Sequence, residues 1–232
     1  MEAQYHQDTL GSLVAQNPIR SQVFEKWGLD YCCGGRRSLE EACSEKRLDV
    51  AAITHEIRLC DRREVETSEA DWTTVPLAQL VTHIVQTHHA YLYAELSPLA
   101  QLLEKIARVH GKAHPELKEL QAVFTDFKAE VNSHLIQEET LLFPLIQALE
   151  AHAGSPSTTL QPLIESLHSE HDTVGQALSK MREITENYAV PDSACNSYRA
   201  LFSRLLMLES DLHLHIHKEN NILFPRVQSQ TT

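Results

Sequence analysis

Two stretches of the chain repeat one chemistry-bearing pattern, H-x-x-x-E-x-x-x-L-F-P. His134 to Glu138 is followed by Leu142-Phe143-Pro144 and, 81 residues on, His215 to Glu219 is followed by Leu223-Phe224-Pro225. Residues four apart on a helix project from one face, about one turn apart. An imidazole and a carboxylate placed in this way are half of a metal site. A single H-x-x-x-E is usually a solvated helix face, but duplication and surroundings weigh against that here. Phe127 and Leu141 lie seven residues either side of His134, and Leu208 and Ile222 hold the same offsets from His215. Both pairs therefore fall on the stripe expected to face the core, where ionisable groups bind metal or pair with one another. Glu139 follows Glu138 whereas Asn220 follows Glu219, so the repeat selects Glu138 as the ligand.

The remaining ligands should come from other helices. His83 shares an apolar stripe with Leu80, Thr87 and Tyr91, while His88 and His89 rotate off it; His171 has Ile164, Leu167, Val174 and Leu178 at helical offsets. A lone histidine on such a face is more often a satisfied core residue, but His83 and His171 each face a proposed half-site. Four imidazoles and two carboxylates are too many for one tetrahedral zinc and suit two metals bridged by the carboxylates. Nitrogen and oxygen donors without thiolate favour iron. Positions then stay open to oxide, oxygen or nitric oxide. Glu130 and Asp211 each lie four residues before a repeat histidine, placed to accept the second ring N–H of a ligating histidine or to line an iron path, and His168, one turn before His171, and Glu170 beside it are spare ligands or hydrogen-bond partners.

The elements that must position these residues are helices. From Pro76 onward four long amphipathic segments, roughly 76–110, 115–151, 157–187 and 193–228, are separated by His110-Gly111, Ala153-Gly154 and Pro191-Asp192. Short connections favour antiparallel neighbours, so the expectation is an all-α chain with an antiparallel four-helix bundle over 76–228. Pro98 should kink the first segment, and Pro144 and Pro225 should do the same beyond each glutamate. Residues 1–62 read as a small domain of short helices. Asn17-Pro18 opens a helix that ends at Gly28, Ser38-Leu-Glu-Glu41 has the form of a capping box, and Asp49 caps a helix towards Cys60. Residues 63–75 are polar and aperiodic and read as a linker.

With 232 residues and 42% hydrophobic content the chain can bury a real core, and its formal charge of −12 argues against nucleic-acid or anionic-membrane partners. No basic start precedes an apolar run at the N-terminus and no long apolar stretch follows, so the expectation is a soluble chain without a signal peptide. Five cysteines, two of them adjacent, suit a reducing cytoplasm better than a disulfide framework. Beside two glycines and Arg36-Arg37, Cys32-Cys33 sits in pliable backbone with positive charge nearby, which would favour thiolate.

Taken together, Trp27-Gly-Leu-Asp-Tyr-Cys32-Cys33-Gly-Gly35, His83, His134-x-x-x-Glu138, Ser169-Glu170-His171-Asp172 and His215-x-x-x-Glu219-Asn220-Asn221 resemble the iron–sulfur cluster repair di-iron proteins, the repair-of-iron-centres family. The resemblance spans nearly the whole chain and implies a hemerythrin-like antiparallel four-helix bundle preceded by a small helical N-terminal domain. It implies two iron ions per chain bridged by oxide or hydroxide, with His83, His134, His171 and His215 as terminal ligands and Glu138 and Glu219 as bridges. It also implies acids near the centre at Glu130 and Glu170, and a redox or iron-handling role for Cys32 and Cys33. The implied function is repair of iron–sulfur proteins damaged by nitrosative or oxidative stress, by iron donation or nitric oxide chemistry. Nitric oxide reduction is the one turnover reaction it suggests, and a homodimer is compatible with it. The competing reading is a hemerythrin-type carrier or sensor of oxygen or nitric oxide, in which His168 supplies a fifth imidazole.

Overall fold

In a computed structural model, which describes residues 5–62, 70–151 and 160–231, the chain is all-α. Among the described residues the one extended pairing is a bridge between Thr9 and Ser38. No helix among the described residues is long and apolar enough to cross a membrane. The chain forms two compact units: residues up to Leu80 together with those from His213 onward, and Val81–Leu212.

In the first unit four short helices, α1 (Leu10–Gln16), α2 (Arg20–Trp27), α3 (Leu39–Lys46) and α4 (Val50–Asp61), begin and end where local chemistry dictates. Thr9 caps α1 by accepting from the Ser12 amide, and Asp49 caps α4 by accepting from that of Ala51. Ser38 and Glu41 form the expected capping box on α3. Gly28 ends α2 at φ 64°, a left-handed conformation that costs glycine least. Leu10, Leu13, Phe24, Leu39, Ile53 and Ile57 are fully buried and make the core of this unit, with Leu214 packed against it. Of the expected linker, residues 63–69 lie outside the described residues. The remainder is held in place: the Arg226 guanidinium donates to the carbonyls of Trp72 (2.9 Å) and Val75, and the Lys218 ammonium stands over the Trp72 ring.

One ionic network fastens the ends of this helical set. Asp61 accepts from Arg20 through both oxygens (2.8 and 2.9 Å), from Asn17 (2.9 Å) and from the Tyr5 hydroxyl (2.8 Å). Burial raises the Asp61 carboxyl, but these donors outweigh it and hold the group below the usual aspartate range. Because the folded-state value is depressed, its stabilisation is fully present above about pH 4 and is lost as pH falls through the folded value. Asp61→Ala leaves the buried Arg20 guanidinium without its counter-charge. It is expected to cost about 2–4 kcal/mol at neutral pH, read by denaturant unfolding, and to flatten the acid limb of stability against pH. Equal acid sensitivity in variant and parent would rule the network out as its source.

In the second unit α6 (Ala90–His110), α7 (Glu116–Gln137), α9 (Leu160–Ile184) and the part of α10 (Asn196–Lys218) up to Leu212 close a ring. α7 packs on both α6 and α9. Arg182 pairs with Glu209 between α9 and α10, and Arg204 pairs with Glu95 between α10 and α6. The neighbours are antiparallel: His88 meets Asp211 while Glu95 meets Arg204, and Glu119 meets Lys180 while His134 meets His171. The expected break at Pro98 does not occur. α6 runs through it, losing one backbone bond while Leu96 and Leu99 on either side stay buried. The break expected at Ala153-Gly154 lies outside the described residues.

Among the described residues the interruptions fall elsewhere, at three π turns: Val85–His89 between α5 (Leu77–Ile84) and α6, Glu138–Leu142 between α7 and α8 (Phe143–Glu150), and Glu219–Leu223 between α10 and α11 (Phe224–Thr231). In each turn an amide bonds the carbonyl five residues back: Ala90 to Val85, Phe143 to Glu138, Phe224 to Glu219. Pro144 and Pro225 follow as second residues of new α-helices, where no amide donor is required, so they reset each helix without breaking it.

Candidate metal centre

A π turn spends one extra residue and rotates everything beyond it by about a quarter turn relative to an unbroken α count. In the second unit this rotation decides which histidine turns inward. His83, on the apolar stripe by α counting, is half-buried; its Nδ1 lies 3.3 Å from the Thr87 hydroxyl and its ring stands edge-on to His88. His89, six residues later and across the turn, is fully buried with Nε2 3.4 Å from Glu138 Oε2. The structure therefore places His89 where the stripe argument expected His83. The signal that could have found it is the run of two histidines after His83, read with a one-residue insertion. The same rotation exposes Leu141, expected to be inward, and buries Leu142.

His134 ends α7, and Glu138 opens the following π turn. The His134 Nε2 also lies 3.4 Å from Glu138 Oε2, so two imidazoles face one oxygen of a carboxylate that is itself fully buried. From α9, His171 brings its Nε2 to 3.0 Å from His134 Nε2. The ligand atoms of His134, Glu138 and His171 lie within 4.8 Å of one another. In the first unit the second copy of the motif closes on itself, with His215 Nε2 3.0 Å from Glu219 Oε1 and both residues buried.

The outward nitrogens of two imidazoles are fixed by acids. His89 Nδ1 donates to Glu139 (2.8 Å), and His134 Nδ1 donates to Glu170 (2.9 Å). A neutral imidazole that gives its Nδ1 proton to a carboxylate presents a lone pair at Nε2, the tautomer a metal takes. The His134 hydrogen bond holds the Glu170 carboxyl below the usual range. Glu139, set aside by the repeat as a ligand, is thus the partner of His89. Asp211, four residues before His215, accepts from His88 at 2.8 Å. Glu130 is exposed on α7, and His168 stands edge-on to His171 with ring centroids 6.4 Å apart. Buried imidazole and carboxylate donors without sulfur fit a hard-to-borderline transition metal such as iron, and none of these groups reads as an ordinary apolar core residue.

The cysteine pair lies in the first unit. Cys32 is buried and Cys33 half-buried, their sulfurs 3.9 Å apart, and none of the five cysteines is in a disulfide. Asp30 organises the loop, accepting from the amides of Cys32, Cys33 and Gly34 and approaching Cys32 Sγ at 3.2 Å. Asp30, Cys32 and Cys33 make a further small set of groups able to hold a metal. The expectation of a thiolate favoured by Arg36-Arg37 does not hold for Cys32. The Cys33 thiol, then burial and the Asp30 charge, push it well up, while Arg37 is engaged by Glu45 and the Gly34 carbonyl.

Comparison with known proteins gives two family matches: residues 6–60 match ScdA_N, a domain of unknown function, and residues 80–227 match the hemerythrin HHE cation binding domain. The iron-sulfur cluster repair protein YtfE of Escherichia coli O157:H7 is 35% identical over 222 residues, 96% of this chain and 97% of that protein. Proteins of the same name from Yersinia pestis (strain Pestoides F) and Musicola paradisiaca (strain Ech703) are 34% and 35% identical over 223 residues, 96% of this chain and 97% and 96% of theirs.

Proposed function

The chain belongs to the family of iron–sulfur cluster repair proteins that join an ScdA_N segment to a hemerythrin HHE domain, and from that premise we propose that it restores iron–sulfur clusters damaged by nitrosative or oxidative stress. In this reading it holds two iron ions joined by oxide or hydroxide. His89, His134, His171 and His215 are terminal ligands, Glu138 and Glu219 are bridges, and His89 takes the place that counting along an unbroken helix gives to His83. The observation that carries the proposal is the pair of imidazole nitrogens 3.4 Å from one oxygen of the buried Glu138 carboxylate. A cation-binding family model that runs from residue 80 to 227, across all six residues, supports taking both motif copies as one ligand set. The free thiols suit a cytoplasmic protein.

When bound, the irons supply redox chemistry and open positions for nitric oxide or oxygen, and nitrogen and oxygen ligands let iron leave more readily than thiolates would. The protein's own groups set those terms. Glu139 and Glu170 hold the Nδ1 protons of His89 and His134 and so aim both Nε2 atoms inward. Phe143, its ring centroid 5.5 Å from that of His89, closes the apolar side of that imidazole. Burial of Glu138 keeps a full negative charge from being satisfied by water and makes cation binding its best compensation. Cys32 and Cys33 are assigned to iron handling or redox exchange. The test is reactivation of a nitric-oxide-damaged iron–sulfur enzyme by iron-loaded protein, with metal-free protein and free ferrous iron alongside. Recovery with the loaded protein alone is the expected result. Equal recovery with metal-free protein would defeat the proposal.

A further inference from the structure

Residues 215–220 are buried at six consecutive positions, more than one helix face can account for. Within the first unit the additional cover comes from the loop carrying the cysteine pair. The Asn221 side-chain amide donates to the carbonyls of Tyr31 (3.2 Å) and Cys32 (3.0 Å), and the Asn220 amide also reaches the Cys32 carbonyl (3.4 Å). His217, one turn earlier, hydrogen-bonds the Tyr31 backbone, and its ring meets the Tyr31 ring edge-on. Two glycines make room for this contact. A Cβ on Gly11 or Gly35 would lie 2.6 or 2.9 Å from Asn221 Cγ, an overlap that real side chains do not tolerate. Gly11 in turn donates its amide to the Gly35 carbonyl at 2.9 Å, so α1, the Cys-Cys-Gly-Gly loop and Asn221 meet at one point.

Asn220 and Asn221 immediately follow Glu219 inside the same π turn. We propose that this asparagine pair is a positioning device. It ties the Cys32 carbonyl to the turn that carries Glu219, so that metal occupancy at Glu219 and reactivity of the Cys32–Cys33 thiols are thermodynamically linked. The inference rests on Glu219 being a metal ligand. A metal on the Glu219 carboxylate fixes the turn in its five-residue hydrogen bonding. Without it the turn is free to relax towards α geometry, which swings residues 220 and 221 by about a quarter turn and withdraws their amides from the loop. Linkage is reciprocal: whatever metal does to the thiol loop, a ligand or bond at the thiols does to metal affinity. A transfer protein needs such a property, since engagement of the cysteines would loosen iron at the centre.

The test is the rate of iodoacetamide alkylation at Cys33, followed by peptide mass spectrometry, in iron-loaded and chelator-stripped full-length protein. The two rates are expected to differ at least about fivefold, the lower end of ordinary coupling between sites. Asn221→Ala, which removes the donors, and Gly11→Ala, whose Cβ meets the Asn221 side chain first and forces its amide aside, should each bring the ratio close to one while iron, measured in the same samples, stays bound. A ratio of one in the parent overturns the linkage and needs no variant to fold. A parental ratio retained in Asn221→Ala overturns it too, because protection would then come from metal sitting directly on the thiols. Failure of the parent to take up iron at all is a different outcome, and it removes the di-iron reading itself.

Discussion

Protein in which Glu138 is replaced by alanine is expected to come through purification without iron, under conditions that leave the parent fully loaded. The carboxylate is fully buried and faces the Nε2 atoms of both His89 and His134. In the proposed centre it is the one group from α7 and its π turn that both metals share. Its removal takes away a bridging ligand and one of the two protein carboxylates together, leaving a single carboxylate among imidazoles as the protein's compensation for four positive charges. The metal-free form should respond in the opposite sense. A carboxylate buried among neutral imidazoles costs several kcal/mol in the folded state, so metal-free Glu138→Ala is expected to be no less stable than metal-free parent. Metal analysis paired with denaturant unfolding reads both effects. Retained iron, or an unfolded metal-free variant, would contradict the assignment.

A comparable loss is expected for His89→Ala and not for His83→Ala. The two residues lie six apart on one stretch of helix; His83 precedes the π turn and His89 is its last residue. His89 is wedged between Glu138 and Glu139, its two ring nitrogens 3.4 and 2.8 Å from their carboxylates. His83 is half-buried and spends its Nδ1 on Thr87. Removing a ligand should cost at least the 10–100-fold in metal affinity typical of losing a ligand's outer partner, whereas His83→Ala should leave affinity within a factor of about two. Titration with a competing chelator measures both. The reverse ranking would mean that the helix is α-helical through 85–89 when iron is bound.

These two residues mark how far the sequence could be read. Where the helix is uninterrupted, apolar spacing was sufficient: His171 stands among Ile164, Leu167, Val174 and Leu178, all buried on one face of α9. The duplicated motif likewise located both His-Glu pairs, because each pair lies before its π turn or at its first residue. Beyond a turn, counting by α periodicity slips by one, which put His89 off the inward stripe and Leu141 on it in place of Leu142; His83, before its turn, lies beside the face buried at Val81 and Ile84. A π turn has no strong residue signature, and the prolines after two of them suggested kinks. Caps at Ser38 and Asp49 were legible because a cap is a local hydrogen bond between residues two or three apart. The partnerships of Glu139, Glu170 and Asp211 join different helices and depend on packing that no local pattern encodes. The asparagine contact with the cysteine loop spans about 190 residues of chain and was likewise out of reach.

The first unit is assembled from the two extremes of the chain, and this imposes an order on biogenesis. Synthesis proceeds from the N-terminus at about 5–20 residues per second, so α1 to α4 leave the ribosome well before the helix turn that seats against their loop. Until that turn arrives, Gly11 and Gly35 border an empty notch and the cysteine pair is incompletely covered. The first unit is therefore expected to mature only after this distant segment is made, with that segment acting as the latch. Because His215 and Glu219 ride on that same segment, the proposed metal set is completed only once the segment that latches the cysteine loop has been made, so a chain still lacking it is expected to hold iron poorly.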